Sequence, residues 1–166
     1  MSESPLSKIP CNNKELLEIW FRRSRESQFA HYEAAKYLSR RNYFLGIPVI
    51  VLTTIVGTSI FASFQEQNMI WLRIILGLVS VAAAVLSALQ TFLRFQERAE
   101  KHRSAGASFG SIRREIEQLF IDIENAKVMT QSLDAIRKRF DSLSKEAPEI
   151  PNSIWKKAES KSGDRD

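Results

Sequence analysis

The sequence is poor in cysteine and histidine, two residue types that are common in metal sites and in nucleophilic catalysis. Its 166 residues include one cysteine, Cys11, and two histidines, His31 and His102. One cysteine cannot form an internal disulfide, and these three side chains do not have the ligand spacing of common metal sites. The sequence also has no Gly-rich phosphate loop and no nucleophile elbow. We therefore predict no catalytic residues, no metal and no cofactor, and we expect that the protein is not an enzyme.

Charge is absent from two long stretches, residues 42 to 65 and residues 74 to 93. A β-strand usually has about four to eight residues, and a chain of this length is too small to bury two helices that are apolar on all sides. A membrane-spanning helix needs about 20 apolar residues to cross the hydrocarbon. The sequence therefore predicts transmembrane helices at residues 43–64 and 74–93, joined by a short external loop at residues 65–73.

The positive charges lie at one end of this hairpin. Lysine and arginine number eight before the first span, one in the connector and fifteen after the second span. Because positively charged loops stay in the cytoplasm, we expect both termini there. The formal net charge of +5 would also suit nucleic acid. Membrane orientation and anionic headgroups account for it more simply, so we predict no nucleic-acid partner.

The polar segments on both sides of the hairpin are mostly helical in pattern. The stretch "KELLEIWFRRSRESQFAHYEAAKYLSRR" has no helix breaker, and Asn12 or Asn13 can cap its start. We predict an all-α membrane protein whose antiparallel hairpin continues into a cytoplasmic helical stalk. The polar segments are a flexible leader at residues 1–13, a cytoplasmic helix at 14–42, cytoplasmic helices at 94–143 and a flexible tail at 144–166.

A heptad seam follows the second span. Apolar residues recur there in alternating steps of three and four, the spacing of a helix that packs along another helix. The seam packs on the N-terminal arm of the same chain, or it also builds an oligomer; the sequence leaves both open. Its members are Phe109, Ile112, Ile116, Leu119 and Ile123, continuing through Ala126, Thr130 and Leu133.

The second predicted span has one face of small, weakly polar residues. Such a face permits close helix packing, which is its more frequent role, or lines a pore when several hairpins assemble. We take these residues as pore-lining or helix-packing candidates. They are Gly77, Ser80, Ala84, Ser87 and Thr91, with Gln90 near the cytoplasmic end and Arg94 just beyond it.

The first span begins with a candidate hinge, Gly46 and Pro48 in "LGIP". Proline has no backbone N–H, so Pro48 cannot donate to the carbonyl of Phe44, and the helix can kink there. Nothing in the sequence decides whether such a kink is static or moves.

The two histidines are candidates for a shared layer in the stalk. His31 lies 12 residues before the first span and His102 nine residues after the second. In an antiparallel hairpin with continuous helical arms, both lie about 15 Å from the membrane boundary. We expect them to face each other, with Tyr32 and Glu100 nearby, as a structural layer or as a pH- or ligand-sensitive gate.

The order of these features resembles the SLATT family, small two-span membrane proteins of bacterial defence and conflict systems. The resemblance covers about residues 14 to 126. It rests on "AHYEAAKYLSRRN" before the first span, "LGIP" at its start, and "AEKHRSAG" and "IRREIEQL" after the second span. It implies an effector of the bacterial inner membrane that is thought to form pores. Such effectors are typically paired with a nucleotide second-messenger synthase or with a sensor of such messengers.

Two functions are consistent with these expectations. In the first, copies of the chain assemble in the lipid bilayer and form a pore, or disrupt the membrane, in antiphage defence. The trigger is then a nucleotide second messenger or a sensor or synthase protein, because the sequence shows no fused sensor domain. In the second, the protein is a non-conducting membrane scaffold that tethers a cytoplasmic partner through its helical stalk.

Overall fold

The computed structural model describes residues 10, 12–62, 70–121 and 126–163. These residues are almost entirely helical and include no strand, which confirms the predicted all-α class. The predicted leader lies mostly outside the described residues. Residues 63–64 of the predicted first span, residues 65–69 of the connector and Ile123 of the seam also lie outside them. The helices are α1 (Asn13–Ala62), α2 (Ile70–Leu93), α3 (Phe95–Ile121), α4 (Ala126–Glu146) and α5 (Asn152–Gly163).

Helix α1 begins where the sequence predicted it. The side-chain oxygen of Asn12 accepts a hydrogen bond from the Glu15 amide at 2.8 Å. This bond satisfies one of the backbone donors that a helix leaves free in its first turn. The helix then continues without interruption through Pro48 to Ala62.

Two of the helices are long and apolar enough to cross a membrane, by their length and composition. The most apolar window of the first is 0% buried inside the chain, and that of the second is 6% buried. A helix of a soluble core with this composition would be covered by the rest of the protein. The two spans therefore expose their apolar surface to the surroundings, as membrane helices do.

The second span and the arm that follows it are separate helices, whereas the sequence predicted a continuous arm. Helix α2 ends at Leu93, and Arg94 has a φ of 44°. This left-handed conformation is uncommon outside glycine and stops the regular helix. The carbonyl of Arg94 then accepts a hydrogen bond from the Arg98 amide at 3.0 Å as α3 begins. No glycine or proline marks this break in the sequence.

The described residues form two compact units. We call residues up to Ala35 and from Glu100 onwards the arm unit, and residues Lys36–Ala99 the hairpin unit. In the hairpin unit, Gly46 of α1 lies against Gln90 of α2, and Leu45 packs near Leu93 and Phe95. Later residues of α1 thus meet earlier residues of α2, so the two helices are antiparallel.

The arm unit has a core built from three helices. Apolar side chains of α1, α3 and α4 bury one another there, and the seam residues of α3 are among the most buried. The seam therefore packs on helices of the same chain, the first of the two arrangements that the sequence left open. The core residues are Leu17, Ile112, Ile116, Leu119, Met129 and Ile136.

The predicted continuation of the seam beyond α3 was wrong at Thr130, whereas Leu133 packs against the core. Helix α3 ends at Ile121 and α4 starts at Ala126, so the two are different helices. In α4, Thr130 is exposed, whereas Met129 is buried and begins the apolar stripe that faces the core. The steps of three and four continued across the gap in the sequence without belonging to one helix.

The C-terminal residues also differ from the predicted flexible tail. Helix α4 extends to Glu146, and α5 covers Asn152–Gly163. The carbonyl of Pro151 accepts hydrogen bonds from the amides of Ile154 and Trp155. Ala158 is buried, and Lys157 pairs with Glu33 of α1 at 3.8 Å. A short helix thus docks on the arm unit through one apolar side, which a polar average composition conceals.

Two glycines of α3 let that helix approach α1 closely. A Cβ atom at Gly106 would lie 3.3 Å from the Tyr32 ring and 3.4 Å from both the Gln28 carbonyl and the His31 Cβ. At Gly110 the Gln28 side chain is nearer still, at 2.7 Å. Helix α3 runs through both glycines without a break, and their missing side chains make room for α1.

We expect Gly106→Leu to lower the free energy of unfolding by about 2 kcal/mol, because a side chain there must force α1 and α3 apart. The measurement is thermal unfolding of the purified protein in detergent, followed by circular dichroism. Ala107→Leu is the control, because Ala107 is exposed on the same helix turn. Equal losses in both variants would show that the close approach at Gly106 does not matter for stability.

Candidate functional site

One stripe of α2 is covered by the hairpin itself. Exposure along this helix falls at every third or fourth residue, and Ala83 in the middle of the stripe is only 4% exposed. This spacing is that of a helix packed against one neighbour. The covered residues are Leu76, Val79, Ala83, Leu86 and Gln90.

The small face predicted on α2 does not coincide with that stripe. It lies about a third of a turn further round the helix, and its five members are exposed. Packing within the hairpin, the more frequent role of such a face, therefore does not use these residues. We call them the small face: Gly77, Ser80, Ala84, Ser87 and Thr91.

Two of the other candidates on α2 have partners in the hairpin unit. Gln90 lies over Gly46, where a Cβ atom would be 3.1 Å from its amide nitrogen. Arg94 is exposed and pairs with Glu97 at 3.3 Å. Gln90 therefore belongs to the packed stripe, and Arg94 ends the helix, so neither is part of the small face.

The candidate hinge has a different environment at its two residues. Gly46 is in contact with Gln90, whereas Pro48 is exposed on the outer side of α1. Further along α1, a Cβ atom at Gly57 would have no neighbour within 4 Å among the described residues. The close approach of the two spans is therefore at Gly46, and movement at Pro48 stays a prediction.

In the arm unit the structure brings the two histidines together. The Nδ1 atoms of His31 and His102 are 3.0 Å apart, and both side chains are buried. At this distance one Nδ1 must donate a proton and the other must accept it, so the two rings hold different tautomers. If both rings were protonated, two donors and two positive charges would face each other in a buried place.

The histidine pair is part of a column of aromatic rings that joins three helices. His31 of α1 stacks on Phe109 of α3, with centroids 5.4 Å apart and planes 15° apart. Phe109 in turn meets Phe140 of α4 edge to face, with centroids 5.6 Å apart. Through this column, the ring positions of His31 and Phe140 depend on each other.

The other two residues predicted near the histidines are less closely involved. Tyr32 is 39% exposed and lies over Gly106 with one edge of its ring. Glu100 is exposed and pairs with Arg103 at 2.6 Å. No three His, Cys, Asp or Glu side chains in the described parts of the chain are placed to hold a metal ion.

The surroundings of His31 disfavour its charged form. Burial, followed by the charge of His102, lowers the pKa of His31 from 6.5 to about 4. The neutral form of His31 is thus the one that the folded arm unit accommodates at neutral pH.

Acidification is therefore expected to destabilise the arm unit. Between pH 6.5 and about pH 4 the unfolded chain binds a proton at His31 that the folded chain does not. Stability from this group is complete above the unfolded pKa and is lost as the pH falls through that window, by at most about 3 kcal/mol. The measurement is thermal unfolding in detergent at about pH 7.5 and pH 4.5.

The matched variant for this prediction is His31→Phe, which keeps a ring against Phe109 but cannot titrate. Carboxylates also protonate at the acidic end, so the informative quantity is the difference in pH dependence between the two proteins. We expect the variant to lose less stability on acidification than the natural chain. An identical loss would contradict the role of His31.

Sequence reasoning missed Phe140 and the spacing role of Gly106 and Gly110. A signal for Phe140 was present, because Met129, Leu133, Ile136, Phe140 and Leu143 repeat in steps of four and three. It was hidden by the seam that seemed to continue from α3. The glycines carried no such signal, since close approach depends on which helix lies opposite.

Comparison with known families gives a match to most of the chain. A family model described as "SMODS and SLOG-associating 2TM effector domain family 4" matches residues 17–160. This range begins in the first turns of α1 and ends within α5. No curated protein and no solved structure matches the chain.

Proposed function

Because this chain belongs to the SLATT family of two-transmembrane effectors, we propose that it is a homo-oligomeric effector that makes the bacterial inner membrane permeable in antiphage defence. The observation that carries this proposal is the exposed small face of α2. In membranes, small residues are enriched where two helices pack closely, whereas bulky apolar side chains suit a helix surface that contacts only lipid. A second helix, from another copy of the chain, can approach such a row closely.

The chemistry of the small face suits both a closed and an open assembly. The hydroxyl of Thr91 donates to the Ser87 carbonyl at 3.1 Å, so its hydrogen-bond donor has a partner even without water. Ser80 and Ser87 add hydroxyl groups that can bind water or an ion when copies separate slightly. The same residues can therefore pack helix against helix without water in a closed assembly and line a water-filled pore in an open one.

The direction of insertion follows from the charges. Eight lysine or arginine residues precede the first span, fifteen follow the second and one lies between them. This distribution supports a hairpin with both termini in the cytoplasm. The arm unit would then face the compartment in which a nucleotide second messenger or a sensor or synthase protein delivers the trigger. The proposal assigns no catalytic step to the chain.

The alternative, a non-conducting scaffold that binds a partner through the heptad seam, has less support. Ile112 and Ile116 are covered by α1 and α4 of the same chain, so a partner would have to displace the core to reach them. The small face, in contrast, is not covered by another helix of the hairpin, so a second copy can reach it.

The test is leakage of a fluorescent dye from lipid vesicles that contain the purified protein at rising density. High density favours assembly by mass action, so it substitutes for the trigger. We expect leakage to rise more steeply than in proportion to protein density, as required when several copies form one pore. Vesicles that stay tight at every density would contradict the proposal and favour the scaffold.

A further inference from the structure

A groove opens in the hairpin unit beside the last polar residues before the first span. Its volume is about 450 Å³, enough for part of a small amphipathic molecule. Helix α1 supplies one wall, and the junction of α2 and α3 supplies the other. The residues that line it are Tyr37, Arg40, Arg41, Phe44, Leu45, Leu93 and Phe95.

Two positive charges lie at the polar end of this groove. Arg40 and Arg41 are both exposed, and neither forms an ion pair with a carboxylate among the described residues. The guanidinium of Arg41 lies 4.9 Å from the centre of the Tyr37 ring, so the ring faces this cation. The groove thus offers two guanidinium groups to an anion, and arginine is well suited to phosphate.

The remaining walls are apolar. The Phe44 side chain is 79% exposed, and Leu45 and Leu93 are half-buried beside it. Phe95 closes the groove from the inside and is only 8% exposed. A phosphate compound without an apolar or aromatic group would gain nothing from these surfaces, whereas a hydrocarbon chain would.

The position of the groove along the chain matches the edge of a bilayer. The uncharged stretch of the first span starts at residue 42, directly after Arg41, and that of the second ends at residue 93, directly before Arg94. The arginines therefore lie at headgroup level and the apolar walls at the level where acyl chains begin.

We propose that this groove is a binding site for one anionic phospholipid. The headgroup phosphate lies between Arg40 and Arg41, and an acyl chain follows the surface of Phe44, Leu45 and Leu93. The site depends on insertion of the hairpin into a membrane but not on pore formation. A lipid here would bridge α1 and the end of α2 one turn from Gly46.

The test is native mass spectrometry of the full chain released from micelles that contain equal amounts of phosphatidylglycerol and phosphatidylcholine. We expect the natural chain to retain phosphatidylglycerol in preference to phosphatidylcholine. The double variant Arg40→Ala, Arg41→Ala is expected to retain about 30-fold less, since each arginine near a headgroup contributes about a fivefold change. Both side chains are exposed, so circular dichroism should show unchanged helix content.

The control removes the same charge elsewhere. Arg23 and Arg114 are exposed in the arm unit, away from the spans, and the double variant Arg23→Ala, Arg114→Ala should retain phosphatidylglycerol like the natural chain. Equal retention of the two lipids, or equal loss in both double variants, would overturn the proposal.

A third measurement distinguishes a lipid-binding site from a site for a soluble phosphate compound. Glycerol 3-phosphate carries the phosphate without acyl chains, and we expect it to leave the retained lipid unchanged at the same concentration. Displacement of phosphatidylglycerol by glycerol 3-phosphate at that concentration would show a soluble-phosphate site and overturn the proposal. Dye leakage plays no part in this experiment, so its result is independent of the proposed pore.

Discussion

Replacing Ala84 by leucine is expected to reduce dye leakage from protein-containing vesicles at least about tenfold. Ala84 is the middle residue of the small face and is exposed in the hairpin. In the proposed assembly, a leucine there would hold neighbouring α2 helices apart, and loss of such a close contact costs about 1 to 2 kcal/mol per interface, which is about tenfold in assembly. Because several interfaces would close the proposed pore, the effect on leakage should be larger than the effect on one pair.

Two neighbouring alanines provide matched controls for this variant. Ala82 is exposed on a different side of α2, so Ala82→Leu adds the same volume towards lipid and should leave leakage unchanged. Ala83 is buried against α1, so Ala83→Leu should instead disturb the hairpin and lower its helical stability. If Ala82→Leu and Ala84→Leu reduced dye leakage equally, the small face would not be the surface through which copies assemble.

Replacing Ile116 by alanine is expected to lower the free energy of unfolding of the arm unit by about 3 kcal/mol. Ile116 is fully buried between α1, α3 and α4, and a smaller side chain leaves a cavity there. For a chain of this size the midpoint of thermal unfolding should fall by about 6 to 12 °C. Circular dichroism of the protein in detergent measures this shift.

The same helix supplies the control. Ile121 is 83% exposed, so Ile121→Ala should change the unfolding temperature little. The comparison also separates the two interpretations of the seam. If the seam were chiefly an oligomer contact, Ile116→Ala would dissociate the protein, as measured by light scattering. The unfolding temperature of the dissociated chain would then stay unchanged. That result would contradict a core in which Ile116 is buried within one chain.

The parts of the fold that depend on local composition were predictable from the sequence. Two uncharged stretches of sufficient length require membrane-spanning helices, since no core of a chain this size can cover them. The cap at Asn12 follows from the preference of an asparagine oxygen for free amides at a helix start. The meeting of His31 and His102 followed from their similar distances in sequence from the two spans.

The parts that depend on which helices meet were not predictable in this way. Arg94 takes a left-handed conformation although no glycine marks the break. Helix α5 is held partly by Ala158 and by the pairing of Lys157 with Glu33, neither of which is visible before α1 and α5 are placed side by side. The exposure of the small face likewise needed the packed stripe through Ala83 to be known first.

The most direct test of assembly through the small face is disulfide cross-linking in membranes along α2. Single cysteines are introduced at successive positions of the helix in a Cys11→Ser background, and oxidation links copies whose cysteines face each other closely. Assembly through the small face predicts cross-linked dimers at Ser80, Ala84 and Ser87, and few at Leu78, Val85 and Leu89. The strongest cross-links at Val85, or none at any position of the helix, would contradict assembly through the small face.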